Sequence, residues 1–158
     1  MSADKVEIFE VVARDGLQNE ARFVETADKI KLIDALSHTG VDKIEVTAFV
    51  SAKAVPNMRD AAEVMAGITR ASNIIYSALV PNLRGAEAAI ASGVQEVNLV
   101  FSASESHNKA NVRMSCEESL TALTTIVAAC KAANMPANVS IATSFGCPFE
   151  GLTPAPRV

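Results

Sequence analysis

Tryptophan is missing from this chain, tyrosine occurs once, and histidine only twice. Two imidazoles leave little material for a histidine-rich metal centre, so any divalent ion must lean on oxygen ligands. Cysteine is scarce as well: Cys116, Cys130 and Cys147 are odd in number, widely spaced and without a C-x-x-C pair. That excludes a disulfide framework and a thiol-based zinc or redox motif, and it points to reduced thiols in a cytoplasmic setting. No apolar run is long enough to span a bilayer, and charges lie near the N-terminus where a signal peptide needs its apolar core. Basic charge is also short. The formal net charge is −4, with Lys and Arg scattered, which argues against nucleic acid or a membrane surface as partner. No G-x-G-x-x-G turn is present to cradle a dinucleotide.

What remains is apolar and aliphatic. Hydrophobic residues make up 49% of the 158 positions, enough for one domain, residues 1–158, with a sizeable core. Short apolar strands are expected at 6–12, 43–47, 74–80, 96–101 and 138–143. Between them run helices at about 26–39, 59–70, 83–92 and 115–133. Thr26 is positioned to cap the first helix, and Gly40 and Gly93 to end the first and third. Ser115, with Glu118 three residues on, spells a capping box. A polar loop is expected over 102–114, and Pro154 and Pro156 stand where a fifth helix would begin. Strands alternating with helices imply a parallel sheet covered by helices. Two architectures fit, a doubly wound open sheet and part of a (β/α)8 TIM barrel. The missing glycine turn favours the barrel, of which this length supplies four βα units and a fifth strand, since a whole one takes about 250 residues.

The stretch Arg14-Asp15-Gly16-Leu17-Gln18-Asn19-Glu20 leaves the first strand at its C-terminal end, the face that carries chemistry in such folds. Asp15 offers a hard oxygen ligand for Mg²⁺ or Mn²⁺, and Arg14 a permanent cation. Together they suit a reaction that builds negative charge on a carbonyl oxygen. The plainer alternative is a loop salt bridge followed by a helix cap. Glu45, set among apolar residues in Ile44-Glu45-Val46-Thr47, needs a cationic partner or a polar interior, and Arg14 is the nearest candidate. It either holds Arg14 in place for catalysis or forms an ion pair inside the barrel with no such duty. His38 reads as a solvated helix-end residue. His107 lies on the correct face, Cys130 reads as core packing and Cys147 as a packed loop thiol. Lys109, Asn111 and Arg113 make the loop after the fourth strand mildly basic, which reads first as a solvated charged loop and otherwise as a surface to meet an anionic substrate such as a phosphate-bearing thioester.

These motifs occur in a familiar order. Arg14 through Glu20 is followed by Ile44 through Ser51 with Lys53, Val55, Pro56 and Met58. Pro81-Asn82-Leu83 comes next, then Gly146-Cys147-Pro148-Phe149-Glu150-Gly151. The chain resembles the metal-dependent TIM-barrel aldolases, synthases and lyases, and within them the 3-hydroxy-3-methylglutaryl-CoA lyase branch. The resemblance implies cleavage of that thioester to acetyl-CoA and acetoacetate by a retro-Claisen reaction, as used in leucine degradation and ketone body formation. It implies a divalent cation on Asp15, stabilisation of the thioester enolate by Arg14, and support of Arg14 by Glu45. A homodimer binding an acyl-CoA is the implied assembly. Val12-Ala13 stands where the branch usually has Gly-Pro, and Ala48 and Ala52 replace a serine and a proline. The branch's His-x-His ligands, a further asparagine ligand and a catalytic cysteine belong to a second barrel half that lies beyond Val158, so these 158 residues alone are expected to be inactive. A lyase for a related branched 3-hydroxyglutaryl-CoA, and a non-catalytic half-barrel that self-associates, are the alternatives.

Overall fold

The computed structural model describes residues 6–158. Five strands, β1 (Phe9–Glu10), β2 (Lys43–Ala48), β3 (Ile75–Leu79), β4 (Glu96–Ser102) and β5 (Ala137–Ala142), form one sheet. Their spatial order follows the chain, β1-β2-β3-β4-β5, and every neighbouring pair is parallel. A doubly wound sheet reverses strand order at a switch point. Here the order never reverses, so the connecting helices stay on one face and the sheet curls into a half-barrel.

That one-sidedness explains the strand patterns. Ile44, Val46, Tyr76, Ala78, Val97 and Leu99 are buried and join Ile33, Val64, Met65, Leu123 and Ile126 in a single core beneath the helices. Glu45, Ser77 and Asn98 lie on the same strands and are also buried, yet they hydrogen-bond to one another on the inner face. The lone tyrosine is satisfied within the core: Tyr76 Oη meets Ser37 Oγ at 2.8 Å and accepts from Ala71 N–H at 2.9 Å.

The outer layer contains α1 (Thr26–Leu36), α2 (Ala61–Gly67), α3 (Leu83–Ala91), α4 (Glu105–Val112) and α5 (Cys116–Ala132). Gly40 and Gly93 have φ of 86° and 68°, left-handed values that favour glycine where the chain leaves a helix. Asn82 Oδ1 caps α3 by accepting from Gly85 N–H at 2.9 Å. The Ser115–Glu118 capping box is complete in both directions, an arrangement typically contributing about 1 kcal/mol. The hydrogen bond from Ser115 N–H holds the Glu118 carboxyl below its ordinary pKa.

Four expectations need correction. Strand one pairs over two residues only, because the chain winds into a π-type helical turn at Val12–Gly16. Thr26 does not cap α1; its hydroxyl donates instead to Asp60 Oδ2 at 2.8 Å. The second helix begins later than expected, after a 3-10 turn at Pro56–Met58. The polar stretch after β4 is not a loop: Ser104 Oγ caps its own helix, α4, by accepting from His107 N–H at 3.2 Å. The polarity of α4 concealed it, since it has no apolar stripe to betray its period. Beyond β5 a small antiparallel hairpin follows, β6 (Gly146–Cys147) with β7 (Gly151–Leu152), and then a 3-10 turn at Ala155–Arg157.

Candidate active site at the strand ends

The turn at Val12–Gly16 is wound by Arg14 N–H and Asp15 N–H, which both donate to Val11 O. Ala13 is buried in the core, which fixes the turn against the sheet. Arg14 reaches inward. Its Nε donates to Glu45 Oε2, and its Nη1 meets Asp15 Oδ1 at 2.6 Å. Side-chain exposure is 16% for Arg14, 3% for Glu45 and 55% for Asp15. The ion pair is therefore sheltered, and Asp15 presents its carboxylate to solvent beside it. The arginine, aspartate and glutamate singled out from sequence are thus joined in one chain of contacts.

Glu45 has a second partner that the sequence did not reveal. Asn98 Nδ2 donates to Glu45 Oε1 at 2.6 Å and to Ser77 Oγ at 3.3 Å. Asn138 Nδ2, on β5, reaches Asn98 Oδ1 at 3.4 Å. A polar ladder therefore crosses the inner face from β2 to β5. The one available signal was Val97-Asn98-Leu99, a polar residue between apolar ones in a strand, the pattern that singled out Glu45.

The opening loop is anchored from outside. Asn19 Nδ2 donates to Asp15 O at 2.8 Å, and Asn57 Nδ2 donates to Gln18 O and Glu20 O at 3.2 and 2.7 Å. Asn57 is held in turn through its carbonyl, which accepts from Lys29 Nζ at 2.5 Å, while the same ammonium meets Asp60 Oδ1 at 2.6 Å. Lys29 and Asp60 are both buried. Two cations stack on the Phe23 ring, Lys29 Nζ at 4.3 Å and the Arg59 guanidinium carbon at 3.4 Å from its centroid, a favourable placement for a ring face. Lys29 lies four residues before Ile33 and seven before Leu36, on the stripe that α1 turns toward the sheet, so its stem is drawn inward with them.

The remaining candidates sort differently. His38 is exposed on the outer layer. His107 Nδ1 is 2.7 Å from Ser102 Oγ, and its ring lies 6.2 Å from that of Phe149; this imidazole is occupied in joining α4 to β4 and the hairpin. Lys109 and Asn111 are on α4, and Lys109 stands 3.9 Å from Glu105. Cys130 is fully buried and its thiol is pushed up by desolvation. Cys147 is buried too. Burial pushes its thiol up, but hydrogen bonds from Ser104 Oγ and from the Phe149 and Glu150 N–H groups outweigh that, so its pKa lies below the ordinary value. Glu150 accepts from Ser106 N–H at 2.7 Å at the start of α4, which holds its carboxyl low.

Among the described residues no group of three His, Cys, Asp or Glu side chains is gathered to hold a metal ion. In the turn after β1, Asp15 supplies a hard, solvent-facing oxygen beside Arg14. That fits one position of an octahedral oxygen shell in which water and substrate provide others. No helix among the described residues is long and apolar enough to cross a membrane.

Against this geometry the relatives are informative. The sequence profile described as HMGL-like matches residues 5–157. The chain is 46% identical over 154 residues to the mitochondrial hydroxymethylglutaryl-CoA lyase of Gallus gallus, covering 98% of this chain and 52% of that protein. It is 45% identical over 154 residues to the hydroxymethylglutaryl-CoA lyase of Bacillus subtilis, with the same coverage of both chains. It is 44% identical over 146 residues to the cytoplasmic 3-hydroxy-3-methylglutaryl-CoA lyase of Rattus norvegicus, covering 92% of this chain and 43% of the relative. Among solved structures, an HMG-CoA lyase from Acinetobacter baumannii in complex with coenzyme A and 3-methylmalate superposes with a TM-score of 0.93 at 46% identity. That superposition covers 99% of this chain and 52% of the other. The Bacillus subtilis HMG-CoA lyase gives 0.94 at 44% identity, over 98% and 52%. The chain spans about half the length of the relatives it matches. A half-barrel of this topology, with Arg14 and Asp15 in the turn after β1 and Glu45 inside β2, matched by the profile along nearly all its length, belongs to the HMGL-like family.

Proposed function

We propose that this chain carries the electrostatic half of a carbon–carbon lyase site that cleaves 3-hydroxy-3-methylglutaryl-CoA to acetyl-CoA and acetoacetate. The contact between Arg14 and Glu45 inside the half-barrel, with Asp15 beside it at the mouth, carries this reading. Arg14 faces the thioester oxygen and offsets the negative charge that develops there as the carbon–carbon bond breaks. Such pre-set cations act strongly because they need no rearrangement at the moment of reaction. Glu45 fixes the guanidinium through Nε. Asp15 would hold Mg²⁺ or Mn²⁺, which when bound draws electron density from substrate oxygens. The acyl-CoA assignment gains support from the Acinetobacter baumannii relative, whose structure contains coenzyme A. A cytoplasmic location agrees with the three free thiols. Cytoplasmic and mitochondrial relatives both exist.

The test is acetoacetate release from 3-hydroxy-3-methylglutaryl-CoA with Mg²⁺, by the chain alone and by a chimera joining it to the C-terminal half of the Bacillus subtilis relative. The chain alone should be inactive and the chimera active. Arg14→Gln in the chimera should lower kcat by about 10²–10³-fold, the loss expected for one charge-stabilising group. An inactive chimera that is folded, or an unaffected variant, would remove the reading.

A second reading, self-association of the half-barrel, is favoured by the exposed edge. Val139 and Ile141 on β5 and Leu120 and Val127 on α5 are exposed apolar side chains, and among the described residues β5 pairs with a strand on one edge only. Light scattering coupled to size exclusion should report a dimer in the micromolar range, and a monodisperse monomer would eliminate this reading.

A further inference from the structure

The geometry points to Asn98 as the residue that sets the orientation of Glu45, and through it the aim of Arg14. This inference deepens the proposed function and rests on the reading of Arg14 as the thioester-facing cation.

A carboxylate held by one partner can swing about its terminal bond. Glu45 is held by two, one on each oxygen: Arg14 Nε on Oε2 and Asn98 Nδ2 on Oε1 at 2.6 Å. The direction of the Asn98 amide is itself decided by its neighbours. Its Nδ2 has two N–H groups, one on Glu45 and one on Ser77 Oγ at 3.3 Å, and Ser77 uses its own proton on Ile44 O at 3.3 Å. Its Oδ1 accepts from Asn138 Nδ2 at 3.4 Å. Turning the amide over would aim Oδ1 at a carboxylate and Nδ2 at another amide's donors, leaving buried groups unsatisfied. The backbone supports the arrangement. Glu45 pairs with Ser77, and Asn98 with Asn138, in the parallel registers of β2–β3 and β4–β5. A register irregularity lies just beyond Glu45, the kind of feature that re-aims a side chain at a strand end.

Asn98 is nearly fully buried and does not contact Arg14, so it is a positioning residue. In a buried site where the donors are fixed, the angle of one carboxylate determines where the guanidinium points.

The test reads Arg14 directly, by ¹⁵N–¹H NMR of its Nε–H in the 158-residue chain without substrate. Asn98→Leu removes the donor without adding charge, and Asn98→Asp keeps the shape but replaces a donor with a second acceptor. Both should speed Nε–H exchange at least tenfold relative to backbone amides of the core strands, and shift its resonance. Ser77→Ala, which removes the longer of the two contacts made by Asn98 Nδ2 and leaves its donation to Glu45, should move the Arg14 signal in the same direction but by less than Asn98→Leu. If Asn98→Leu does not fold, Asn98→Asp decides alone. The inference is overturned if the Nε–H signal is unchanged in the folded variants, or if it accelerates only in step with the core amides. A chimera without lyase activity would remove the functional reading and leave this result standing, so the two failures can be told apart.

Discussion

Arg14→Met is expected to destabilise the chain by about 3–5 kcal/mol, the usual cost of removing one member of a buried ion pair. The loss follows from what stays behind. Glu45 is left at 3% side-chain exposure without its cationic partner, Asn98 still donating to it. Arg14 is itself only slightly exposed, so solvent screening discounts the figure little. Urea unfolding monitored by circular dichroism gives the answer as a lower midpoint at constant slope. Adding Glu45→Gln should restore much of the loss, because the amide oxygen still accepts from Asn98 and no charge is stranded. A change below about 1 kcal/mol in Arg14→Met would place this pair with surface salt bridges and deny it any role in fixing the site.

Lys29→Met is expected to cost a similar amount, about 3–5 kcal/mol, for a different structural reason. Lys29 and Asp60 are each 4% exposed by side chain, and the ammonium also holds the Asn57 carbonyl. Asn57 in turn ties down Gln18 and Glu20. The variant should therefore lose stability and also loosen the segment that carries Arg14 and Asp15. Hydrogen exchange should show early opening of residues 17–25, ahead of β2–β4. Asp60→Asn added to Lys29→Met should recover stability, since Thr26 can still donate to the remaining oxygen. The control is Lys31→Met: Lys31 and Asp28 are 77% and 61% exposed, and such a pair contributes about 0.5 kcal/mol or less. Equal losses at positions 29 and 31 would show that burial is not what gives the Lys29 pair its weight.

These two ion pairs mark the boundary of what a sequence reading reaches. Glu45 announces itself, because a carboxylate inside an apolar strand has to find a cation, and Arg14 leaves the neighbouring strand β1. Asn98 carries the same signal, yet an amide between apolar residues has many acceptable partners, and nothing local selects Glu45 among them. Lys29 gives only half a signal: it falls on the apolar stripe of α1 with Ile33 and Leu36, yet nothing local names Asp60 as its partner. Helix α4 was missed for the opposite reason: its sequence is polar all round, and its formation depends on the Ser104 cap and on Asn108, whose amide reaches Met114, Ser115 and Ser119.

The sequence by itself determined the alternation of strands and helices, the capping box at Ser115, the glycine exits at positions 40 and 93, the placement of Arg14 and Asp15 after the first strand, and that of Glu45 inside the second. Each of these is written within a few residues, through hydrophobic period, backbone preference or a short motif. Tertiary structure alone decided which polar groups meet. Glu45 finds Arg14 across 31 positions and Asn98 across 53, contacts set by the register of parallel strands and the curl of the sheet. Those depend on how the whole core packs, and no local stretch of chain encodes them.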